Sequence, residues 1–154
     1  MSRLFESSEL ILNPDGSVFH LHIKPGELGK YVLLVGDPGR VELISAFFDE
    51  KLHSSSNREF YSVTGTLSGI KITALSTGIG TDNIDIVLNE LDALVNIDFS
   101  TRKRKVKIES LNLIRIGTSG AIQEDIEPGS FVLSKSVIGF DGLLNFYKLR
   151  NEVC

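Results

Sequence analysis

Cysteine is almost missing from this chain of 154 residues: the one example is Cys154, the last residue. No intrachain disulfide can therefore form, and a cysteine-based zinc cluster is excluded by counting. A reducing compartment suits this, and a cytoplasmic location is the expectation. Positive charge is also in short supply. Sixteen Lys and Arg against twenty Asp and Glu leave a net charge of -4, so no global field draws in nucleic acid or an anionic membrane, and any anion site must be local. Long apolar runs are lacking too. No stretch approaches the roughly 18 residues of a membrane helix, and MSRLFESSELIL at the start has no continuous hydrophobic region of the signal-peptide kind. Internal repeats and low-complexity segments are absent.

What is present suits one soluble globular domain over 1–154. Hydrophobic residues make up 42% and charged residues 23%, an ordinary balance for a folded core. Short apolar runs end at glycines: YVLLVG (31–36), EFYSVTGTL (59–67), IKITALS (70–76), LNLIRIG (111–117) and SFVLSKSVIGF (130–140) are strand-length and rich in β-branched and aromatic residues. Ser68-Gly69 reads as a hairpin turn. From 82 to 95, Ile84, Val87, Leu88, Leu91, Leu94 and Val95 recur at spacings of three and four, which predicts an amphipathic helix. A shorter helix is expected after GDPGR, burying Val41, Leu43, Ile44, Phe47 and Phe48. Strands alternating with helices define an α/β class with a mixed sheet flanked by helices, where ligands collect at the carboxyl ends of parallel strands. The basic run at 101–107 lacks interleaved aromatics and reads as a solvated loop rather than a nucleic-acid surface.

Three strand ends could hold a small anion. In VGDPGR, Gly36 lets backbone approach a ligand, Pro38 stiffens the turn, and Arg40 enters a helix start, a setting that favours anions. A plain β-turn before a helix fits the same residues. Arg115 lies in an otherwise apolar strand, where its guanidinium must meet a carboxylate such as Asp37 or Glu59, a ligand, or solvent; Gly117, Thr118 and Ser119 follow it. Ser76-Thr77-Gly78-Ile79-Gly80 again places flexible backbone before a helix. GTSGAI lacks the third glycine and the downstream unit of a dinucleotide fingerprint, and no GKS or GKT loop for nucleoside triphosphates occurs. His20, His22 and His53 show no metal-ligand spacing beyond H-x-H, and neither a Ser-His-Asp nor a Cys-His arrangement can be argued.

FHL at 19–21, VGDPGRVELI at 35–44, NREF at 57–60, STGIG at 76–80 and IRIGTSGAIQ at 114–123 occur in an order that resembles the nucleoside phosphorylase superfamily, and most its uridine phosphorylase branch. The hexameric purine branch resembles GDPxR equally well. The resemblance implies a nucleoside phosphorylase-like α/β fold and phosphate-dependent cleavage of the N-glycosidic bond of uridine or a related nucleoside. It implies that Gly36, Arg40, Arg115 and Thr118 bind phosphate, that Thr118 also contacts ribose, and that Arg115 and Thr118 serve catalysis. By the same resemblance Arg58 is lent to a neighbouring subunit's phosphate site, and His20 reaches across that interface toward the ribose 5′-hydroxyl. A homo-oligomer built from dimers follows, with orthophosphate as co-substrate and no other cofactor. Glu59 and the loop around Ile79 resemble positions that hold a monovalent cation, although Asn83 stands where a serine ligand is usual. Asn57 likewise replaces a histidine common before REF.

The resemblance also implies a shortfall. Family members are about twice as long, and their second half carries the base-recognising Gln and Arg and the Met-Glu segment that grips the ribose hydroxyls. The chain is thus expected to be a truncated, N-terminal, phosphate-binding half, with Phe140, Leu143, Leu144, Phe146 and Tyr147 an apolar cluster on the surface that the second half would cover. An active uridine phosphorylase, a purine nucleoside phosphorylase, and a non-catalytic remnant or assembly subunit all remain open.

Overall fold

A computed structural model describes residues 3–148. The chain divides into two units, Met1–Ile116 and Gly117–Cys154. The first holds a five-stranded mixed sheet in the order β2-β3-β4-β1-β7, built from β1 (Tyr31–Val35), β2 (Glu50–Asn57), β3 (Phe60–Leu67), β4 (Ile70–Ser76) and β7 (Asn112–Arg115). The small ribbon of β5 (Ile97–Asp98) and β6 (Lys103–Arg104) lies apart from it. β2, β3 and β4 form an antiparallel meander. β1 is parallel to both β4 and β7, with Val35 opposite Ser76 and Leu34 opposite Arg115. The register sets three strand ends side by side: Val35-Gly36, Ser76-Thr77 and Arg115-Ile116.

Both sheet faces are covered, as central parallel strands require. Val32 and Leu34 of β1, with Phe60 and Leu75, pack against Val87, Leu91 and Leu94 of α2 (Thr81–Asn96) and against Val18, Leu21 and Ile23 of the N-terminal segment. Val35, Val63 and Ala74 meet Val41 of α1 (Pro38–Ser45) on the opposite face. The expected long helix is therefore present, and its stripe is as read at Val87, Leu91 and Leu94, while Leu88 lies at the edge of the face. α1 departs from its expected stripe. Val41 is buried and Ile44 and Phe48 partly so, but Leu43 is 68% and Phe47 76% exposed, and Ser45 takes the buried place. The helix is only eight residues long, so a single turn meets the sheet and positions 43 and 47 face away.

Turn chemistry fixes the meander. Ser68 and Gly69 both have positive φ, 51° and 76°, the geometry of the two-residue turn whose twist matches paired strands. β2 is a strand that the apolar pattern does not announce: EKLHSSSN is polar and lies at the sheet edge. The basic run is not wholly solvated. Arg102 donates to the carbonyls of Phe5, Glu6 and Leu10 and ties the N-terminal segment down, while Lys105 Nζ donates to the Val95 carbonyl at the end of α2.

Among the described residues of the second unit there is no strand, and a short 3₁₀ turn spans Leu143–Phe146. The strand expected over 130–140 is not formed. An isolated strand leaves its N–H and C=O groups unpaired, and here Phe131 and Leu133 stand fully in solvent.

Candidate functional site

The acid in GDPGR has a structural task. Asp37 is the N-cap of α1, its carboxylate accepting from the Gly39 N–H at 2.9 Å, and Pro38 fills the first turn where its missing N–H is no loss. The helix N-terminus is thus closed by the chain's own carboxylate. What remains open beside it is Gly36 and Arg40.

Gly36 sits where the three loops converge. A Cβ placed on it would lie 3.4 Å from Arg115 Nη2 and 3.7 Å from the Gly78 carbonyl oxygen. The guanidinium of Arg115 therefore lies against the bare backbone of the β1–α1 turn. Of the three destinations open to Arg115, neither Asp37 nor Glu59 is taken: among the described residues its guanidinium makes no ion pair or hydrogen bond, and the residue is exposed. Arg40 and Arg58 are equally uncommitted there. Three guanidiniums without carboxylate partners on one chain of net negative charge are a local anion-binding resource.

The β4–α2 loop is held firmly beside them. Thr77, fully buried, donates its N–H to the Val35 carbonyl at 2.8 Å, locking the ends of β4 and β1 together, and its hydroxyl lies within reach of the Gly78 (3.0 Å) and Val35 (3.2 Å) carbonyls. Ser76 Oγ donates to the Glu59 carbonyl at 2.6 Å and accepts from the Tyr61 N–H at 2.8 Å, which fastens the β2–β3 turn to the same strand end. That turn consists of Arg58 and Glu59, and Arg58 adopts a φ of 55°. A non-glycine residue in the left-handed region is uncommon and strained. Arg58 is thus projected from a turn that glycine would suit better.

Glu59 joins this turn to α2. Its carboxylate Oε1 accepts from Asn83 Nδ2 at 2.8 Å, and the same amide donates to the Ile79 carbonyl at 3.2 Å. Gly78 completes the fit, since a Cβ there would meet Asn83 Nδ2 and Glu59 Cγ at 2.7 Å. The Glu59 carboxyl is held below its ordinary 4.5 by the N–H of its own backbone, by the Asn83 amide, and by the nearby charges of Arg58 and His20. The carboxylate and carbonyl that could ligate a monovalent cation are thus already bridged by a donor. An N–H₂ group between them repels a cation, and in this arrangement the set does not fit one.

His20 lies on the far side of the same turn. Its carbonyl accepts from Asn57 Nδ2 at 2.9 Å, and its ring stands edge-on to Phe60 with centroids 6.3 Å apart. Asn57, in the histidine's place, is therefore a brace for the 19–21 segment, a role that only the fold reveals. Glu90, absent from every sequence motif, grips the same segment from α2. The structure gathers Gly36, Arg115 and Gly78 at one point, and His20, Arg58, Glu59 and Asn83 around one turn. Thr118 belongs to the other unit, where it is exposed. His22 and His53 take no part in either group, and no cluster of metal-ligating side chains occurs among the described residues. Nor is any helix there long and apolar enough to cross a membrane.

An anion-ready junction at the carboxyl ends of parallel strands in a mixed α/β sheet defines the class, and comparison with known proteins supplies the family. Residues 30–152 match the family model of the phosphorylase superfamily, and the chain belongs to that superfamily. It is similar to the uridine phosphorylase of Thermococcus kodakarensis, with 35% identity over 147 residues covering 96% of this chain and 48% of that protein. It is also similar to a DeoD-type purine nucleoside phosphorylase of Alkaliphilus metalliredigens, 35% identical over 118 residues, 76% of this chain and 45% of that one. Among solved structures, a Trypanosoma brucei nucleoside phosphorylase described as showing uridine phosphorylase activity superposes with a TM-score of 0.71 at 37% identity, covering 77% of this chain and 41% of that chain. The chain spans about half the length of the curated relatives it matches. The fold is accordingly the nucleoside phosphorylase-like one that the motifs implied, represented by about half of it.

Proposed function

We propose that this chain carries the phosphate-binding half of a nucleoside phosphorylase, with uridine as the favoured nucleoside. The observation behind the reading is the uncommitted Arg115 guanidinium lying against Gly36 at the carboxyl ends of β1, β4 and β7, with Arg40 in the first turn of the helix that follows. In phosphorolysis an orthophosphate oxygen bonds to C1′ as the bond from C1′ to the base nitrogen breaks, giving free base and ribose 1-phosphate. The transition state resembles an oxocarbenium ion, so the anion must be stripped of water and aimed without losing its nucleophilicity. Guanidinium forks do this by meeting phosphate oxygens two at a time. Hydrolysis by water would have no use for three unpaired arginines.

On this reading Gly36, Arg40, Arg115 and Thr118 hold phosphate, Thr118 also meets the ribose, and Arg115 and Thr118 act in catalysis. Arg58 and His20 serve the site of a neighbouring copy, so the working unit is a dimer in the cytoplasm. Asn83 does the bridging that a monovalent cation would otherwise do. The resemblance to uridine enzymes favours uridine, and the likeness to a purine nucleoside phosphorylase makes inosine the competing substrate. The test is product analysis by ³¹P NMR. Uridine with orthophosphate should yield a new sugar-phosphate resonance in step with free uracil; free ribose instead would place the chain among nucleosidases, and no product would assign turnover to its longer relatives.

A further inference from the structure

Glu90 makes four contacts with one short segment. Its carboxylate accepts from the His20 N–H (2.9 and 3.1 Å to the two oxygens), from the Leu21 N–H at 2.8 Å, and Oε1 lies 2.7 Å from His20 Nδ1. Both side chains are largely shielded, His20 at 25% and Glu90 at 15% exposure. Phe19 and Phe60 both stand edge-on to the imidazole, with centroids at 4.9 and 6.3 Å, and crowd the ring. Asn57 Nδ2 and Ser55 Oγ donate to the carbonyls of His20 and Leu21, at 2.9 and 2.8 Å. Every polar backbone group of this two-residue segment is thereby engaged by a side chain from α2 or β2. His20 and Glu90 together border a cavity of about 310 Å³ that Phe19, Ile86 and Asn89 also line.

We infer that Glu90 is a positioning residue that fixes His20, whenever the ring carries a single proton, as its Nδ1–H tautomer, so that Nε2 then presents a lone pair to a ligand hydroxyl. A carboxylate offers only acceptors, so the atom facing it must be the protonated nitrogen. Nε2 has no partner among the described residues, and a hydroxyl is the neutral group that can donate to it. This rests on the phosphorylase reading, in which that hydroxyl belongs to the nucleoside sugar.

The tautomer can be measured without substrate. Two-bond ¹⁵N–¹H spectra of the full chain at alkaline pH, with His20 assigned by loss of its signals in His20→Gln, should show the Nδ1–H form. Glu90→Gln should invert it. The glutamine oxygen is drawn to the Leu21 and His20 N–H groups, which leaves its amide N–H₂ facing Nδ1 and forces the ring proton to Nε2. A wild-type Nε2–H tautomer, or a Glu90→Gln ring that keeps its Nδ1–H, would overturn the inference. In the assembled enzyme, Glu90→Gln should raise KM for uridine about tenfold, the scale of one hydrogen bond, with kcat nearly unchanged. 5′-Deoxyuridine should show no such rise, and an equal rise for both nucleosides would reduce Glu90 to a merely structural role. Because the spectra need no turnover, a failed tautomer and a failed phosphorylase assignment are separable results.

Discussion

Removing the Arg115 guanidinium tests the anion site at its centre. The side chain is exposed at the end of an edge strand and has no partner to lose among the described residues, so Arg115→Ala should leave stability within about 0.5 kcal/mol, as for surface substitutions generally. Its effect on phosphate should be far larger. A charge-assisted hydrogen bond contributes about 1.5–3 kcal/mol, and each 1.4 kcal/mol or so is a factor of ten, which brackets the loss at about ten- to 150-fold. Exposure to solvent screens the pair, so the lower half of that range is expected for the chain alone. Arg115→Lys should fall between, keeping the charge but not the fork that matches phosphate geometry. Lys30 provides the control. It precedes β1 at the opposite end, about 17 Å away by strand rise and beyond the Debye length of about 10 Å at 0.1 M salt. Isothermal titration with orthophosphate should therefore give unchanged affinity for Lys30→Ala and a large loss for Arg115→Ala. Equal affinity in both variants and the wild type would refute the placement of phosphate beside Gly36.

Arg58→Gly should relieve the left-handed backbone at the β2–β3 turn, raising stability by up to about 1 kcal/mol while weakening phosphate binding in the assembled enzyme; a thermal melt paired with titration reads both, and a loss of both would mean that the turn is not strained. Asn83→Ser should convert a cation-independent loop into a dependent one, because a hydroxyl is too short to bridge the Glu59 carboxylate and the Ile79 carbonyl. Its melting temperature should be higher in potassium than in choline at equal ionic strength, whereas a wild type that itself responds to potassium would contradict the bridging role. Thr73 is buried and its Oγ1 both receives the Gly29 N–H at 2.8 Å and pairs with Thr64 Oγ1 at 2.7 Å. Thr73→Val should cost about 1–3 kcal/mol in urea unfolding through the orphaned groups, and Thr73→Ser only the lost methyl, about 0.8 kcal/mol. Glu59 titrates below its ordinary 4.5 in the folded chain, so its contribution is complete above that pH and fades as pH falls through the folded value. The stability gap between wild type and Glu59→Gln should accordingly close on acidification, and a gap that widens would reverse the sign of the argument.

Much of this arrangement was legible in the residues themselves, for reasons that can be named. The β1, β3 and β4 runs announce themselves because strands inside the sheet are rich in apolar and β-branched residues, β7 because Leu113 and Ile114 mark it although it lies exposed at the sheet edge, and α2 because its stripe is long enough to show its period. β2 escaped notice because EKLHSSSN is an edge strand held by backbone pairing and a neighbouring hairpin, not by apolar side chains. The 130–140 run misleads for the converse reason: β propensity is a preference for a pleated, half-buried surface, and the described residues of the second unit hold no strand to pair with it. At the site, Gly36, Arg40 and Arg115 carried a physical signal, an arginine in an apolar strand and a glycine at a strand end. Asp37 was ambiguous between anion partner and helix cap until the Gly39 hydrogen bond decided it. Glu90 could not be found from sequence, since a carboxylate on the polar face of an amphipathic helix looks like any solvated residue; only the 70-residue reach to His20 distinguishes it.

The proposal that this chain carries the phosphate-binding half of a nucleoside phosphorylase is tested most directly by uracil release from uridine by the purified chain, with and without orthophosphate and with inosine as the parallel substrate. The account predicts release from uridine that requires phosphate and saturates with it, and that Arg115→Ala abolishes. Release that proceeds equally well without phosphate would contradict it.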